Sequence, residues 1–162
     1  MLNTKSLEDL IDAASRLRTR LVWLVGMPGS GKSGALKAFA ASHANCTYVN
    51  LNAELASRLA ADSPDQRPFK VAQHLSSIFK ARSTGGAWLV DNLEILFSPK
   101  LRVPVVDRLN SLAQQATLVV AWPGTIENGR LTYGARNHPD FAEYPLSFPL
   151  ALDLNNTNSQ GQ

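Results

Sequence analysis

The residues best suited to chemistry form a glycine-rich run that ends in a lysine and a serine. The pattern G-x-x-x-x-G-K-[S/T] is matched by Gly26, Met27, Pro28, Gly29, Ser30, Gly31, Lys32 and Ser33. The apolar stretch 21–25 directly precedes this run, and a helical pattern follows it. Glycines let a backbone curl with positive φ, so that successive N–H groups point inward at phosphate oxygens. We therefore predict a Walker A phosphate loop between a buried strand and a helix.

The residues at the end of the loop have separate tasks. Lys32 is predicted to reach the outer phosphates of a nucleotide, and Ser33 offers its hydroxyl to Mg²⁺. The helix that begins near Lys32 places the positive end of its dipole against the same anion. The predicted cofactors are ATP and Mg²⁺, bound by residues 26–33 and by Gly34. Adenine is favoured over guanine because the sequence has no Asn/Thr-Lys-x-Asp motif for reading guanine.

An acid at the end of a second apolar run predicts the other half of the site. Residues 87–91 read Ala-Trp-Leu-Val-Asp, the pattern of a strand buried on both faces of a parallel sheet. A carboxylate in that position orients the Mg²⁺ shell directly or through water, as a Walker B acid does. The alternative is a strand-end aspartate that caps a turn. Since a Walker A loop lies upstream, we predict that Ser33 and Asp91 bind the metal ion.

The identity of a catalytic base is less clear from the sequence. P-loop ATPases commonly follow the Walker B acid with a glutamate that polarises the attacking water, and Asn92 occupies that position here. Glu94 could be the base if the strand bends or bulges, although in regular strand geometry it would point away from Asp91. A solvated or helix-facing Glu94 is an equal alternative. The predicted catalytic residues are Lys32, Asp91 and Glu94, and whether ATP is hydrolysed stays open.

A site completed by a second subunit would need an arginine from that subunit. The candidates lie in the loop-rich second half of the chain: Arg102, Arg108, Arg130 and Arg136. Each of them is more often a surface arginine than a catalytic one. We therefore expect that a homo-oligomer could complete the nucleotide site, with one of these four arginines contributed by the second subunit.

Strands that alternate with helices predict the fold class. The apolar runs that predict strands lie at 21–25, 47–51, 87–91 and 117–121. Amphipathic patterns that predict helices alternate with them, at 6–18, from the phosphate loop to about 42, at 52–60, at 69–79 and at 105–113. This order predicts an α/β fold, a P-loop NTPase three-layer αβα sandwich with a mostly parallel sheet. The phosphate loop would lie at the carboxyl edge of that sheet.

The pattern changes after residue 121. Trp122, Pro123 and Gly124 either line the nucleotide pocket or end the sheet, and the structural role is favoured because Pro and Gly commonly stop strands. A short irregular β segment is predicted at 131–133 and 141–144. We predict one domain over residues 1–150 and a polar, disordered tail over 151–162.

Composition narrows the class of protein. The chain has 162 residues with 44% hydrophobic content, enough for one globular unit with a proper core. Its net charge of +3, with no dense basic tract, allows contact with DNA without indicating it. The single cysteine cannot form an intramolecular disulfide, which fits a reducing cytoplasm. No apolar run approaches the roughly 20 residues that a helix needs to span a bilayer. The histidines and the cysteine do not have the spacing of a zinc site.

Three stretches together resemble BrxF, the small P-loop protein of BREX bacteriophage-exclusion systems. They are the loop 26–33, the segment 88–97, and residues 121–124 with 131–133. The strand 47–51, placed between the two nucleotide motifs, also resembles the additional-strand branch of P-loop ATPases. The resemblance to BrxF implies a cytoplasmic bacterial protein of antiviral defence, acting beside a DNA methyltransferase, a phosphatase-like protein and a large ATPase. It also implies that Asn92 is a family trait, with either another water-positioning group or slow, partner-dependent turnover.

Three functions are compatible with these residues. The first is an ATP-binding protein, with weak or partner-dependent ATPase activity, that works with other defence proteins on DNA. The second is a non-catalytic interaction module with a structural or vestigial nucleotide site. A small-metabolite kinase ranks last, because the sequence has no arginine-rich lid after the fourth strand.

Overall fold

The computed structural model describes residues 4–80, 86–146 and 150–155, with the side chains of residues 4 and 5 left out. The helices are α1 Thr4–Ser15, α2 Lys32–Ser42, α3 Leu51–Leu59, α4 Arg67–Ile78 and α5 Val105–Leu112, with a 3₁₀ turn at Glu94–Phe97. The strands are β1 Leu21–Gly26, β2 Cys46–Asn50, β3 Ala87–Asp91, β4 Thr117–Glu127, β5 Arg130–Tyr133, β6 Ala142–Pro145 and β7 Ala151–Asp153.

The sheet has parallel strands in the order β2-β3-β4-β1-β7. Strand β4 therefore separates β1, which carries the phosphate loop, from β3, which ends at Asp91. The far end of β4 pairs antiparallel with β5, and β5 pairs with β6. The strand predicted at 47–51 is β2, which lies at the edge of the sheet beside β3. The strand inserted between the two motif-bearing strands is instead β4, which follows both motifs in the sequence.

Two hydrophobic clusters lie on opposite faces of the sheet. Val22 and Leu24 of β1 pack with side chains of α1 and α2, whereas Leu21, Trp23 and Val25 pack with side chains of α3, α4 and α5. All six residues of β1 are buried, as expected for a strand covered on both faces. The predicted three-layer αβα fold with a mostly parallel sheet is confirmed.

The starts of α3 and α4 differ from the sequence-based expectation. Helix α3 begins at Leu51, because the side chain of Asn50 accepts a hydrogen bond of 3.1 Å from the Ala53 amide and caps the helix. Helix α4 begins at Arg67, two residues before the helical pattern expected at 69–79. Pro68 lies in the first turn of α4, where its missing N–H costs no hydrogen bond.

Strand β4 continues past Pro123 and Gly124, which were expected to end it. Pro123 is the last residue of β4 that pairs with β1, and Gly124 is the first that pairs with β5. The hairpin between β4 and β5 turns at Asn128 and Gly129, whose φ angles of 53° and 72° are those of a type I′ turn. The strand therefore changes partners at the Pro-Gly step and does not stop there.

The end of the described chain differs from the predicted tail. Ala151–Asp153 forms β7, which pairs in parallel with β1 on the edge opposite β4, and Leu154 is buried. Because β7 pairs along the edge of β1, the domain extends beyond the expected boundary at residue 150. Residues 156–162 of the predicted tail lie outside the described residues.

Alanine at position 124 should destabilise the fold. A Cβ there would lie 1.9 Å from the carbonyl oxygen of Thr132, so β4 and β5 would have to separate. We expect the Gly124→Ala variant to lose about 2–3 kcal/mol in the free energy of unfolding, measured with urea. Gly34→Ala is the matched control, because its Cβ would enter open space on α2 and should be neutral or stabilising. Equal stability of the two variants would show that the close approach of Gly124 to the Thr132 carbonyl does not require glycine.

Candidate functional site

The predicted phosphate loop connects β1 to α2 with the expected backbone. Gly29 and Gly31 have φ angles of 85° and 92°, which favour glycine. Gly31 caps α2 without a side-chain hydrogen bond, so the first turn of α2 presents amides that no cap satisfies. Gly26 has no room for a side chain, since a Cβ would lie 2.2 Å from the Ser30 hydroxyl. Helix start and loop together form a set of N–H donors suited to an anion.

Lys32 folds against the loop that precedes it. Its ammonium donates hydrogen bonds to the carbonyl oxygens of Gly26, at 2.5 Å, and Met27, at 3.2 Å. Burial lowers the pKa of Lys32, while the negative charges of Asp91 and Glu94 act in the opposite direction. The cation therefore lies within the electrostatic reach of both predicted acids.

Asp91 ends β3 and is 3% exposed, with both carboxylate oxygens bonded. The Tyr48 hydroxyl donates to Oδ2 at 2.7 Å, and the Asn92 amide donates to Oδ1 at 3.0 Å. Burial, together with the hydrogen bond to Asp91, raises the pKa of Tyr48 to about 12. The sequence analysis missed Tyr48, because the contact depends on the pairing of β2 with β3.

The chain bends immediately after Asp91, and the bend brings Glu94 to the site. Asn92 has a φ of 59°, in the left-handed region that asparagine tolerates, and Glu94 opens the 3₁₀ turn. Asn52 holds this bend: its amide donates to the Asn92 carbonyl at 3.1 Å, and its side-chain oxygen accepts from Ile95 at 2.8 Å. The Asn52 side chain also donates to Glu94 Oε2 at 3.3 Å. Regular strand geometry would have turned Glu94 away from Asp91.

One cavity of about 400 Å³ contains most of the predicted site. It is lined by Pro28, Gly29, Gly31, Lys32, Ser33, Gly34, Asp91, Asn92, Glu94 and Pro123. The three predicted catalytic residues and both predicted metal-binding residues therefore face one space at the carboxyl edge of the sheet. A separate cavity of about 320 Å³, between α3, α4 and the 3₁₀ turn, contains none of them.

Trp122 and Pro123 have different roles. Pro123 lines the cavity, whereas Trp122 is fully buried and donates from its indole to the Thr132 carbonyl at 2.8 Å. The rings of Trp23, Phe97 and Tyr144 surround Trp122 at centroid distances of 5.4–5.6 Å. Pro123 therefore has the pocket-lining role, and Trp122 has a role in the core that differs from the favoured one of ending the sheet. Phe97, the last residue of the 3₁₀ turn, packs against Trp122 in this aromatic cluster.

Two of the four candidate arginines are engaged within the chain. Arg130 pairs with Glu143 at 3.2 Å, and Arg136 pairs with Glu127 at 2.5 Å and with Glu143 at 3.2 Å. In the part of the chain that the structure describes, Arg102 and Arg108 make no such ion pair. These two are the better candidates for contact with a second subunit.

Asn155 joins the segment after β7 to the phosphate loop. Its side-chain oxygen accepts from the Met27 amide at 3.1 Å, and its side-chain nitrogen donates to the Gly124 carbonyl at 3.1 Å. One carboxamide therefore connects the residue after β1 and the Pro-Gly step of β4 with the segment that follows β7. The sequence analysis missed this contact because it placed Asn155 in the tail.

Removal of the Asn155 side chain should loosen the entry to the loop. We expect Asn155→Ala to lower the free energy of unfolding by about 1–2 kcal/mol, since two hydrogen bonds to backbone groups are lost. Chemical denaturation measures this change. Asn110→Ala, on α5 and away from the loop, is the control for loss of an asparagine side chain. An Asn155→Ala variant as stable as that control would show that the contact contributes nothing.

Within residues 4–80, 86–146 and 150–155, no helix is both long and apolar enough to cross a membrane. The same ranges contain no group of three His, Cys, Asp or Glu residues that could hold a metal ion. His43 contacts Glu8, and His74 lies 2.7 Å from Asp62. A Mg²⁺ site of the predicted kind needs no such group, because the nucleotide phosphates and water provide most of its ligands.

Comparison with known proteins identifies no family. No family model matches the chain, and no curated protein matches it. Among solved structures, that of PCH-2 from C. elegans is similar, with a TM-score of 0.42 and 14% sequence identity. The match covers 85% of this chain and 39% of PCH-2, so the chain spans well under half the length of that protein.

Proposed function

We propose that this protein binds ATP and Mg²⁺ in the cavity between the phosphate loop and Asp91. The observation that carries the proposal is the convergence of the loop glycines, Lys32, Ser33 and Asp91 on one space at the carboxyl edge of the sheet. The site fits the ligands chemically, since amide donors and an ammonium face phosphate, and a hydroxyl and a carboxylate suit Mg²⁺. When bound, Mg²⁺ neutralises phosphate charge and helps to orient the outer phosphates.

We propose that Glu94 is the base in any hydrolysis at this site. Its carboxylate lines the same cavity as Lys32 and Asp91, and Asn52, in the first turn of α3, donates a hydrogen bond to it. Asn92 also lines the cavity, but a carboxamide does not accept a proton from water at neutral pH. Turnover is expected to be weak or dependent on a second subunit, because no arginine of the described chain lines the cavity.

The biological setting is proposed from the sequence resemblance to BrxF. We propose that nucleotide binding controls assembly with other BREX proteins in antiviral defence, on DNA and in the bacterial cytoplasm. The resemblance rests on the stretches 26–33, 88–97 and 121–124 with 131–133. Some residues of these stretches line the cavity: five of the phosphate loop, residues 91, 92 and 94, and Pro123 of β4.

The second candidate function is an interaction module without catalysis. Two observations favour it: Lys32 is bonded to carbonyl groups of its own loop, and Asn92 stands where a glutamate base is usual. In that case the nucleotide would be a structural ligand that orders the bend and the loop. The fold and the cavity would be the same, so only measurement separates the two functions.

Phosphate release from Mg-ATP across a range of protein concentrations separates the candidates. Lys32→Ala serves as the blank, so that contaminating ATPase activity is subtracted. Release that rises faster than linearly with protein concentration supports an ATPase completed by a second subunit, and directs attention to Arg102 and Arg108. No release above the blank supports the interaction module. Failure of the wild-type protein to bind ATP in calorimetry would overturn the whole proposal.

A further inference from the structure

Tyr48 and Asp91 are diagonal neighbours on one face of the sheet. In the parallel pairing of β2 with β3, Tyr48 lies opposite Leu89, and Asp91 lies opposite Asn50. Side chains two positions apart on a strand share a face, so Tyr48 and Asp91 point to the same side. That side is covered by α2, because Leu36, Phe39 and Leu89 belong to one cluster against which Tyr48 packs. Tyr48 therefore lies beneath the helix that begins at the phosphate loop.

The contact between Tyr48 and Asp91 restricts the rotation of the carboxylate. Oδ2 accepts from the Tyr48 hydroxyl at 2.7 Å, and Oδ1 accepts from the Asn92 amide at 3.0 Å. Turning the carboxylate would break both bonds in a nearly water-free position, where an unpaired carboxylate oxygen is costly. Each oxygen still has a lone pair, so the carboxylate keeps acceptor capacity toward the cavity.

Tyr48 is itself held in place. The Lys37 ammonium, one helical turn beyond Ser33, lies 5.4 Å from the centre of the Tyr48 ring. A tyrosine hydroxyl is a donor at neutral pH, so it can hold the Asp91 carboxylate through its O–H. Tyr48 does not line the cavity, so it would act only through Asp91.

We propose that Tyr48 is a positioning residue that holds Asp91 in the orientation required by the Mg²⁺ shell of the nucleotide. The inference rests on the proposed ATP and Mg²⁺ site and deepens it. A carboxylate fixed before the ion arrives loses less conformational freedom when it binds. Mutation of a residue that orients a metal-binding side chain typically lowers metal affinity by about 10–100-fold.

Tyr48→Phe tests the inference, because it removes one oxygen and keeps the ring. ATP affinity is measured by calorimetry with Mg²⁺ and with EDTA, and the ratio of the two affinities gives the Mg²⁺-linked gain. We expect this gain to fall by about tenfold in Tyr48→Phe, with ATP affinity in EDTA changed by less than about twofold. Tyr144→Phe is the control, since it removes a half-buried hydroxyl from the aromatic cluster and should leave the gain unchanged.

A second arm asks whether Tyr48 acts through Asp91. In an Asp91→Asn background, Tyr48→Phe should cause no further loss of the Mg²⁺-linked gain, because the group it orients has lost its charge. Additive losses in the double variant would overturn the inference. An unchanged Mg²⁺-linked gain in Tyr48→Phe would also overturn the inference. An equal loss of ATP affinity with and without Mg²⁺ would overturn it too, because it would indicate a purely structural role for Tyr48. Absence of ATP binding by the wild-type protein would instead refute the proposed function, and the inference with it.

Discussion

Alanine at position 32 should lower the affinity of this protein for ATP by at least about 100-fold, because the ammonium makes charge-assisted hydrogen bonds to phosphate oxygens. The structure shows the side chain bonded to the Gly26 and Met27 carbonyls, at the mouth of the loop. To bind phosphate, the ammonium exchanges those neutral acceptors for charged ones, which are the stronger partners. The burial that lowers its pKa also strengthens its interaction with an anion.

The same substitution should leave the fold nearly intact. Lys32 is only half-buried, and its desolvation offsets much of what its two hydrogen bonds contribute, so stability should change by less than about 1 kcal/mol. Calorimetry with ATP, together with a urea titration, measures both effects on one preparation. Lys80→Ala, an exposed lysine beyond α4, controls for loss of one positive charge. Equal affinities in Lys32→Ala and Lys80→Ala would refute a phosphate-binding role for the loop.

The fold and the phosphate loop could be predicted because their determinants are local. Each buried strand is a continuous apolar run, each helix has a periodic apolar face, and the loop conformation depends on glycines at fixed spacing. Asp91 was predictable for the same reason, since it ends such a run. The strand between the two motifs in the sequence, β2, was likewise predictable from its own apolar pattern. These features require no knowledge of which strands are neighbours.

The supporting contacts could not be predicted because they depend on strand pairing and on single backbone angles. Tyr48 reaches Asp91 only because β2 lies beside β3 in one register. Asn155 reaches the loop only because β7 pairs with β1, and a polar composition around that segment indicated a tail instead. The position of Glu94 depends on the left-handed φ of one residue, Asn92. A sequence gives residue types and their spacing. It does not give the register of β2 on β3, the pairing of β7 with β1 or the φ angle of Asn92.

Glutamine at position 94 should separate chemistry from binding. We expect Glu94→Gln to lower phosphate release by about 100-fold, the usual contribution of a positioned general base. ATP affinity should change by less than about threefold, because Glu94 is an acid that does not bind phosphate and its loss removes a repulsive charge. Glutamine keeps the size of the side chain and its acceptor oxygen for Asn52. Single-turnover phosphate release and calorimetry measure the two quantities.

Asn92→Gly is the matched comparison, and it decides which residue of the bend acts on water. Glycine accepts the φ of 59°, so the bend should persist while the carboxamide is removed from the cavity. If Glu94 is the base, Asn92→Gly should keep phosphate release within about threefold of wild type, and only Glu94→Gln should abolish it. A large loss in Asn92→Gly with little effect of Glu94→Gln would assign water positioning to the carboxamide. That result would make the bend after Asp91, rather than an acid, the element that replaces the usual glutamate.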